Sequence, residues 1–418
     1  RGCEGEGERE RRREIARSSV IVDVQMDYAQ SSQARHWTFS REDVRRMREK
    51  VRSRVLDKLS RAGPSNDQHE WPEMLSVEDE VLLQRCWHYK LQDMCREETA
   101  RTPERFTPRV MTTAHAYLRR FFLRRSIVED DPREVLLAAV YLAAKVEEER
   151  IDLNDLTRYS RFSSEREAAE RLILSNEEKI LATLGYELVV RSPYRSLRGI
   201  TASLREWSPG QNAHADVRRE PAFSHEAVSL TEARARDFLC HALCSDAQLL
   251  YSPQQLALAG VLRGAAAAGI DLGRWFSERL PHPGGSDTSS DDRTAQLLQL
   301  LSEVGKTVDE EGGALDASAM ARCKEIESRR SALSKVVGRV DSATARSRAE
   351  AASKEAAARK YARAEEAQRA AEEAIAPDTG GDGNDGGDFA IHKRPRQRDA
   401  SRQQAPVKSE TGSDATLM

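Results

Sequence analysis

The chain of 418 residues holds many side chains able to do chemistry, yet few stand at a spacing that chemistry requires. Cys240 and Cys244 lie four apart, so a helix would place both thiols on one face, as a metal site might. The simpler reading is two small buried hydrophobes, with His241 packed beside them. Gly380-Gly381-Asp382-Gly383-Asn384-Asp385 resembles one turn of a calcium-binding nonapeptide repeat. A single copy cannot stack, and its large apolar residue is missing. Lys393-Arg394-Pro395-Arg396 fits a nuclear import signal or a solvated charge run. The 69 carboxylates include none expected on an otherwise apolar face, where a shifted pKa would arise. No P-loop, HExxH or GxSxG occurs. These residues predict a chain that does no chemistry itself and needs no metal or cofactor.

Helix punctuation is the clearest signal of the elements behind these residues. Thr107-Pro108, Asp131-Pro132, Ser192-Pro193 and Ser252-Pro253 each pair an N-cap with a proline at the first helical position. Glu134 and Gln255 extend two of them into expected capping boxes. The following apolar residues recur at helical spacing, and no strand pattern competes. Five helices are predicted near 76–96, 108–124, 132–147, 153–159 and 164–184. A second set falls near 193–206, 226–246, 253–268, 271–279 and 292–308. Residues 135–144 leave no polar face, so that helix must be surrounded by others. Leu256 to Ala268, closed by Gly269, plays the same part in the second half. Trp207 to Pro221 reads as an inserted loop.

Charged residues make up 32% and apolar residues 39%, while the formal net charge is only -3. That gives a core without a global basic field for nucleic acid or an anionic membrane. No apolar run reaches the length of a membrane span, and residues 1–17 carry no secretory signal. Six cysteines without a CxxC pair fit a reducing compartment. The organisation expected is a disordered arm or gene-model extension over 1–27, with Met26 reading as a natural start. An N-terminal segment with a helix near 41–59 follows over 28–75, then five-helix units over 76–190 and 191–314. A packing helix over 315–340, an Ala/Arg/Glu-rich solvated helix over 341–376 and a disordered tail over 377–418 complete it. Glu350–Lys354, Glu355–Arg359 and Glu365–Arg369 are i,i+4 pairs in the favourable order.

Two five-helix repeats, each with a buried small-residue third helix, resemble the tandem cyclin fold. Specific stretches narrow the resemblance to the H-type cyclins. Ser31-Ser32-Gln33-Ala34-Arg35-His36-Trp37-Thr38-Phe39-Ser40 resembles their N-terminal signature. Ala143-Ala144-Lys145-Val146-Glu147-Glu148 resembles the cyclin-box lysine motif, and Ser192-Pro193-Tyr194-Arg195 the opening of the second repeat. Asp237-Phe238-Leu239, Ser245 to Leu258 and Ala268-Gly269-Ile270 form the nearest segment. The resemblance spans about 26–335. It implies an all-α fold of tandem five-helix cyclin boxes with N-terminal and C-terminal flanking helices.

It also implies a function. The chain would bind and allosterically activate a cyclin-dependent kinase catalytic subunit. With a RING-finger assembly factor this would form a CDK-activating kinase in the nucleus, within the TFIIH core. Its targets would be kinase activation loops and the RNA polymerase II C-terminal tail, without direct nucleic-acid or membrane contact. Lys145 matches the family's lysine and Glu177 its glutamate, the charged pair that grips the kinase. Leu181, Tyr186 and Leu188 match the flanking apolar contacts, Tyr186 standing where Phe is usual. Without the resemblance, Lys145 reads as a cation at a helix C-terminus and Glu177 as a surface charge. Neither is expected in the apolar core. Val81-Leu82-Leu83-Gln84-Arg85-Cys86-Trp87 lacks the substrate-docking patch of cell-cycle cyclins. A Mediator-type C-class cyclin and a TFIIB-like DNA-binding factor are the alternatives. The Arg35 to Phe39 signature argues against the first; the missing zinc ribbon and basic second repeat argue against the second.

Overall fold

Proline-capped starts set the frame of this all-helical chain. The computed structural model describes residues 28–62, 73–101, 106–207, 222–279 and 290–375. The inserted loop from 208, the Gly/Asp stretch, the basic cluster and the expected N-terminal arm lie outside them. Helices α1 (Ser32–His36) and α2 (Arg41–Ala62) precede the first repeat. That repeat comprises α3 (Val77–Arg101), α4 (Pro108–Arg124), α5 (Pro132–Val146), α6 (Leu153–Thr157) and α7 (Arg166–Leu184). The second comprises α8 (Pro193–Glu206), α9 (His225–Cys244), a short α10 (Ala247–Leu250), α11 (Pro253–Ala267), α12 (Gly273–Arg279) and α13 (Ser290–Gly312). A single helix, α14 (Ala317–Ile375), follows.

Helix α5 is apolar all round and packs against α3, α4, α6 and α7. Val135, Ala138, Ala139, Val140 and Ala143 are fully enclosed. In the second repeat α11 has this role, among α8, α9 and α13. Gly264 permits its closest approach: a Cβ there would stand 2.3 Å from the Thr231 carbonyl oxygen on α9. Ser252 and Gln255 form the expected capping box. The box expected at Asp131 does not form. Asp131 caps the Arg133 N–H, while the buried Glu134 instead accepts bonds from the Ser160 hydroxyl (3.0 Å) and the Arg161 N–H (3.0 Å). The helix expected over 226–246 stops at Cys244, because the Ser245 hydroxyl caps a new turn at the Ala247 N–H (3.2 Å).

One buried ionic joint ties the N-terminal helix to both repeats. Arg48 on α2 grips both oxygens of Asp246 (2.6 and 2.8 Å), and Arg119 on α4 adds a bond of 2.9 Å. Burial would raise the Asp246 pKa, but the two guanidinium groups hold it down to about 2. Val44, Leu123 and Leu249 form a small apolar cluster of their own from the same three parts.

The helix expected to break near 340 is continuous, but its surroundings change there. Ile326, Leu333 and Val337 are buried with the first-repeat core, and Val340 packs on its edge. From Asp341 to Ala367 every residue is exposed. The chain divides into a compact body up to Ala349 and a second unit from Glu350. Within that second unit Glu355 and Arg359 form an i,i+4 pair at 2.6 Å.

Candidate functional site

Lys145 occupies the last turn of α5, where a cation is favoured by the helix dipole. Its ammonium forms an ion pair with Glu177 Oε1 on α7 and lies 4.6 Å from the Tyr141 ring centroid. The two members differ in setting. Glu177 is 8% exposed, contrary to its reading as a surface charge, whereas the Lys145 side chain is 47% exposed. The pair therefore links the buried third helix to the fifth, with its cation facing water. Leu181 and Leu188 are half-buried on the edge of the first-repeat core. Tyr186 is 73% exposed, so water can serve the hydroxyl that a phenylalanine would lack.

Backbone strain sits just beyond both helices that carry the pair. Glu148 (φ +60°), after α5, and Tyr186 (φ +62°), after α7, are the non-glycine residues in the left-handed region among those described. Such a conformation costs roughly 1–3 kcal/mol and persists only where the surroundings enforce it. After α5, the Glu147 carboxylate accepts bonds from the Thr113 hydroxyl (2.6 Å) and Arg109 Nε (2.9 Å). After α7, Gly185 is also left-handed, and the Tyr186 N–H closes the turn on the Leu181 carbonyl (3.1 Å).

Sequence reasoning missed several residues. Leu174 (44% exposed) stands three before Glu177 and seven before Leu181, which places all three on one face of α7. That spacing was readable. Val189 (59% exposed) lies three residues beyond Tyr186. Glu80 corrects the expectation that no carboxylate would sit on an apolar face. It precedes Leu83 and Trp87 at helical spacing, is 5% exposed, and burial raises its carboxyl to about 7 despite Arg52 and Arg48. His88 and His115 share a buried contact of 2.9 Å between ring nitrogens.

Of the possible metal residues, Cys244 is buried and its thiol pushed up to about 12 by burial, while Cys240 is half-buried. His241 is exposed rather than packed. Among the described residues no group of three His, Cys, Asp or Glu could hold a metal ion, and no helix is long and apolar enough to cross a membrane.

Comparison with known proteins follows the same two-part division. The family model for the cyclin N-terminal domain matches residues 99–189, and that for the cyclin C-terminal domain matches 192–309. Cyclin-H of Xenopus laevis is 28% identical over 298 residues, covering 69% of this chain and 84% of that protein. Cyclin-H1-1 of Arabidopsis thaliana is 25% identical over 231 residues, 55% of this chain and 61% of that protein. Cyclin-C1-1 of the same plant is 44% identical, but over only 92 residues, 21% of this chain and 36% of that protein. A chain in the CAK complex of Chaetomium thermophilum bound to ATP-gamma-S superposes with a TM-score of 0.59 at 22% identity. The match covers 74% of this chain and 89% of that one, a likeness of fold.

Proposed function

This chain belongs to the cyclin family, with H-type cyclins as relatives over most of its length, and from that premise we propose that it binds and activates a cyclin-dependent kinase. The observation that carries the proposal is the Lys145–Glu177 pair joining the third and fifth helices, with Leu174 beside it on α7 and Tyr186 exposed just past the helix end. A half-exposed cation backed by a buried carboxylate can offer hydrogen bonds to the backbone of a partner. Apolar side chains nearby supply area that binding would remove from water.

Activation on this reading is allosteric. A kinase works only when its αC glutamate reaches the strand-3 lysine and its activation loop is ordered. A rigid surface that binds this arrangement better shifts the population towards it, by as much as its differential affinity and no more. The cyclin contributes no reacting group.

The assembly we infer is a CDK-activating kinase, in line with the H-type relatives. Its third component would be a RING-finger assembly factor, its setting the TFIIH core and its compartment the nucleus. A C-type reading has one observation in its favour, the 44% identity to Cyclin-C1-1, but that likeness is confined to 21% of the chain. Affinity purification of the full chain with mass spectrometry tests the assignment. A cyclin-dependent kinase together with a RING-finger protein and TFIIH subunits is the expected recovery. A kinase recovered with Mediator subunits instead would establish the C-type reading.

A further inference from the structure

The turn from Tyr186 to Arg191 connects the two repeats and has no helix of its own. Its position must therefore come from side chains of neighbouring elements. Glu187, between Tyr186 and Leu188, receives the densest set. Glu187 Oε2 accepts the indole N–H of Trp37 at 2.7 Å, and Oε1 lies 2.5 Å from His36 Nδ1. Its backbone carbonyl accepts from Arg120 at 3.4 Å. Trp37 is wholly buried, with the guanidinium groups of Arg124 and Arg120 at 4.1 and 4.9 Å from its ring. Two further bonds fix the middle and the far end of the turn. The Tyr117 hydroxyl donates to the Leu188 carbonyl (2.6 Å), and the Arg191 N–H donates to Gln33 Oε1 (2.7 Å).

We propose that Glu187 is a positioning residue: its carboxylate clamps the strained turn to His36 and Trp37 and so presents Tyr186 and Leu188 to the kinase. The proposal rests on the kinase-binding reading. The physical argument is over-determination. A tyrosine at φ +62° does not stay there by its own preference, and its N–H bond to Leu181 restrains only one side of the turn. Glu187 restrains the other side, with one anchor fully buried and the other, the His36 side chain, 54% exposed. A buried indole N–H with a charged acceptor is among the stronger side-chain bonds, so the clamp holds its register. The residues that make the N-terminal signature distinctive thus act through Glu187 on a surface about 150 residues away.

The test uses the full chain with three substitutions at two positions. Glu187→Ala removes both bonds. Glu187→Gln keeps an acceptor for the indole and can still bond the neutral imidazole. His36→Ala leaves the core bond intact. In the free chain, hydrogen exchange at the amides of Tyr186, residue 187 and Arg191 should rise about ten-fold or more in Glu187→Ala, with α5 amides unchanged. Affinity for the cyclin-dependent kinase should fall about ten-fold or more in Glu187→Ala, a few-fold in His36→Ala, and return to near wild type in Glu187→Gln. Wild-type exchange and affinity in Glu187→Ala would overturn the proposal. So would a rise in exchange spread equally over α5 and α7, or a Glu187→Gln chain as weak as the alanine variant. Should Glu187→Ala fail to fold, His36→Ala decides, and wild-type behaviour there overturns the proposal. A wild-type chain that binds no such kinase would overturn the underlying reading instead, which the exchange data on the free chain keep separate.

Discussion

At the scale of single residues, the central feature is an asymmetric ion pair. Lys145→Ala would leave the buried Glu177 carboxylate without its cation. A fully enclosed orphan charge costs about 3–5 kcal/mol, and partial access to water at the half-exposed Lys145 position lowers this to roughly 1–3 kcal/mol. Urea unfolding should show that loss, while kinase affinity measured by calorimetry falls by about 30-fold or more. Unchanged affinity would remove Lys145 from the interface. Tyr186 gives a second test. Tyr186→Ala and Tyr186→Gly both remove the ring, but only glycine relieves the left-handed backbone. The glycine variant should therefore unfold at higher urea, by about 1 kcal/mol relative to alanine. Equal stability would mean that no strain is held there. Lys145 and Glu177 were legible as residues through the family motif. The burial of Glu177 was not, because it depends on how α5 and α7 meet, and no sequence signal marks a tyrosine with positive φ. Leu174 was legible by spacing and was overlooked.

At the scale of elements, starts were easier to read than stops. A proline after a capping residue states where a helix begins, and α4, α5, α8 and α11 begin at Pro108, Pro132, Pro193 and Pro253. Stops depend on competing acceptors. Ser245 ended α9 early, and even at a start Glu134 left its expected capping box for Ser160 and Arg161, although α5 still begins at Pro132. The C-terminal helix was read as two because its apolar pattern fades, yet helical geometry continues on propensity and i,i+4 pairs. Its two stretches differ in what they hold. Ending the chain after Val340 removes the exposed stretch from Asp341 to Ala367 and the part-exposed Lys58–Asp341 ion pair, so the thermal midpoint should move by no more than about 2 °C. Ending it before residue 315 also exposes the sites covered by Ile326, Leu333 and Val337. At about 1.5–3 kcal/mol for each buried aliphatic side chain, that loss is on the order of 5 kcal/mol. Equal losses from the two truncations, measured by calorimetry, would refute the division.

At the scale of the whole molecule, buried ionisable groups make stability depend on pH with opposing signs. Burial, with Arg119 beside both, holds His88 well below its ordinary range and His115 at about 3. The unfolded chain protonates these rings near pH 6.5, so stability is lost as pH falls below that value, by up to about 1.4 kcal/mol per unit for each ring. Glu80 acts the other way. Its folded carboxyl, near 7, stays protonated where the unfolded one has ionised, so its contribution is lost as pH rises from about 4.5 to 7. Two rings outweigh one carboxyl, and urea unfolding should show roughly 1–2 kcal/mol less stability at about pH 5 than at about pH 6.5. Replacing both histidines by leucine should reverse the slope; an unchanged slope would contradict the assignment. The tandem architecture was legible in the sequence because each repeat has a third helix without a polar face. The joint of Arg48, Asp246 and Arg119 was not, since its three members come from distant parts of the chain. The most direct test of the account is phosphate transfer from ATP to a polymerase-tail peptide, measured with the purified chain, with its cyclin-dependent kinase, and with both together. The chain alone should give no turnover, the kinase alone little, and the mixture a saturable rise that Lys145→Ala shifts to higher concentration. Turnover by the isolated chain, or a kinase rate unmoved by a saturating amount of it, would contradict the account.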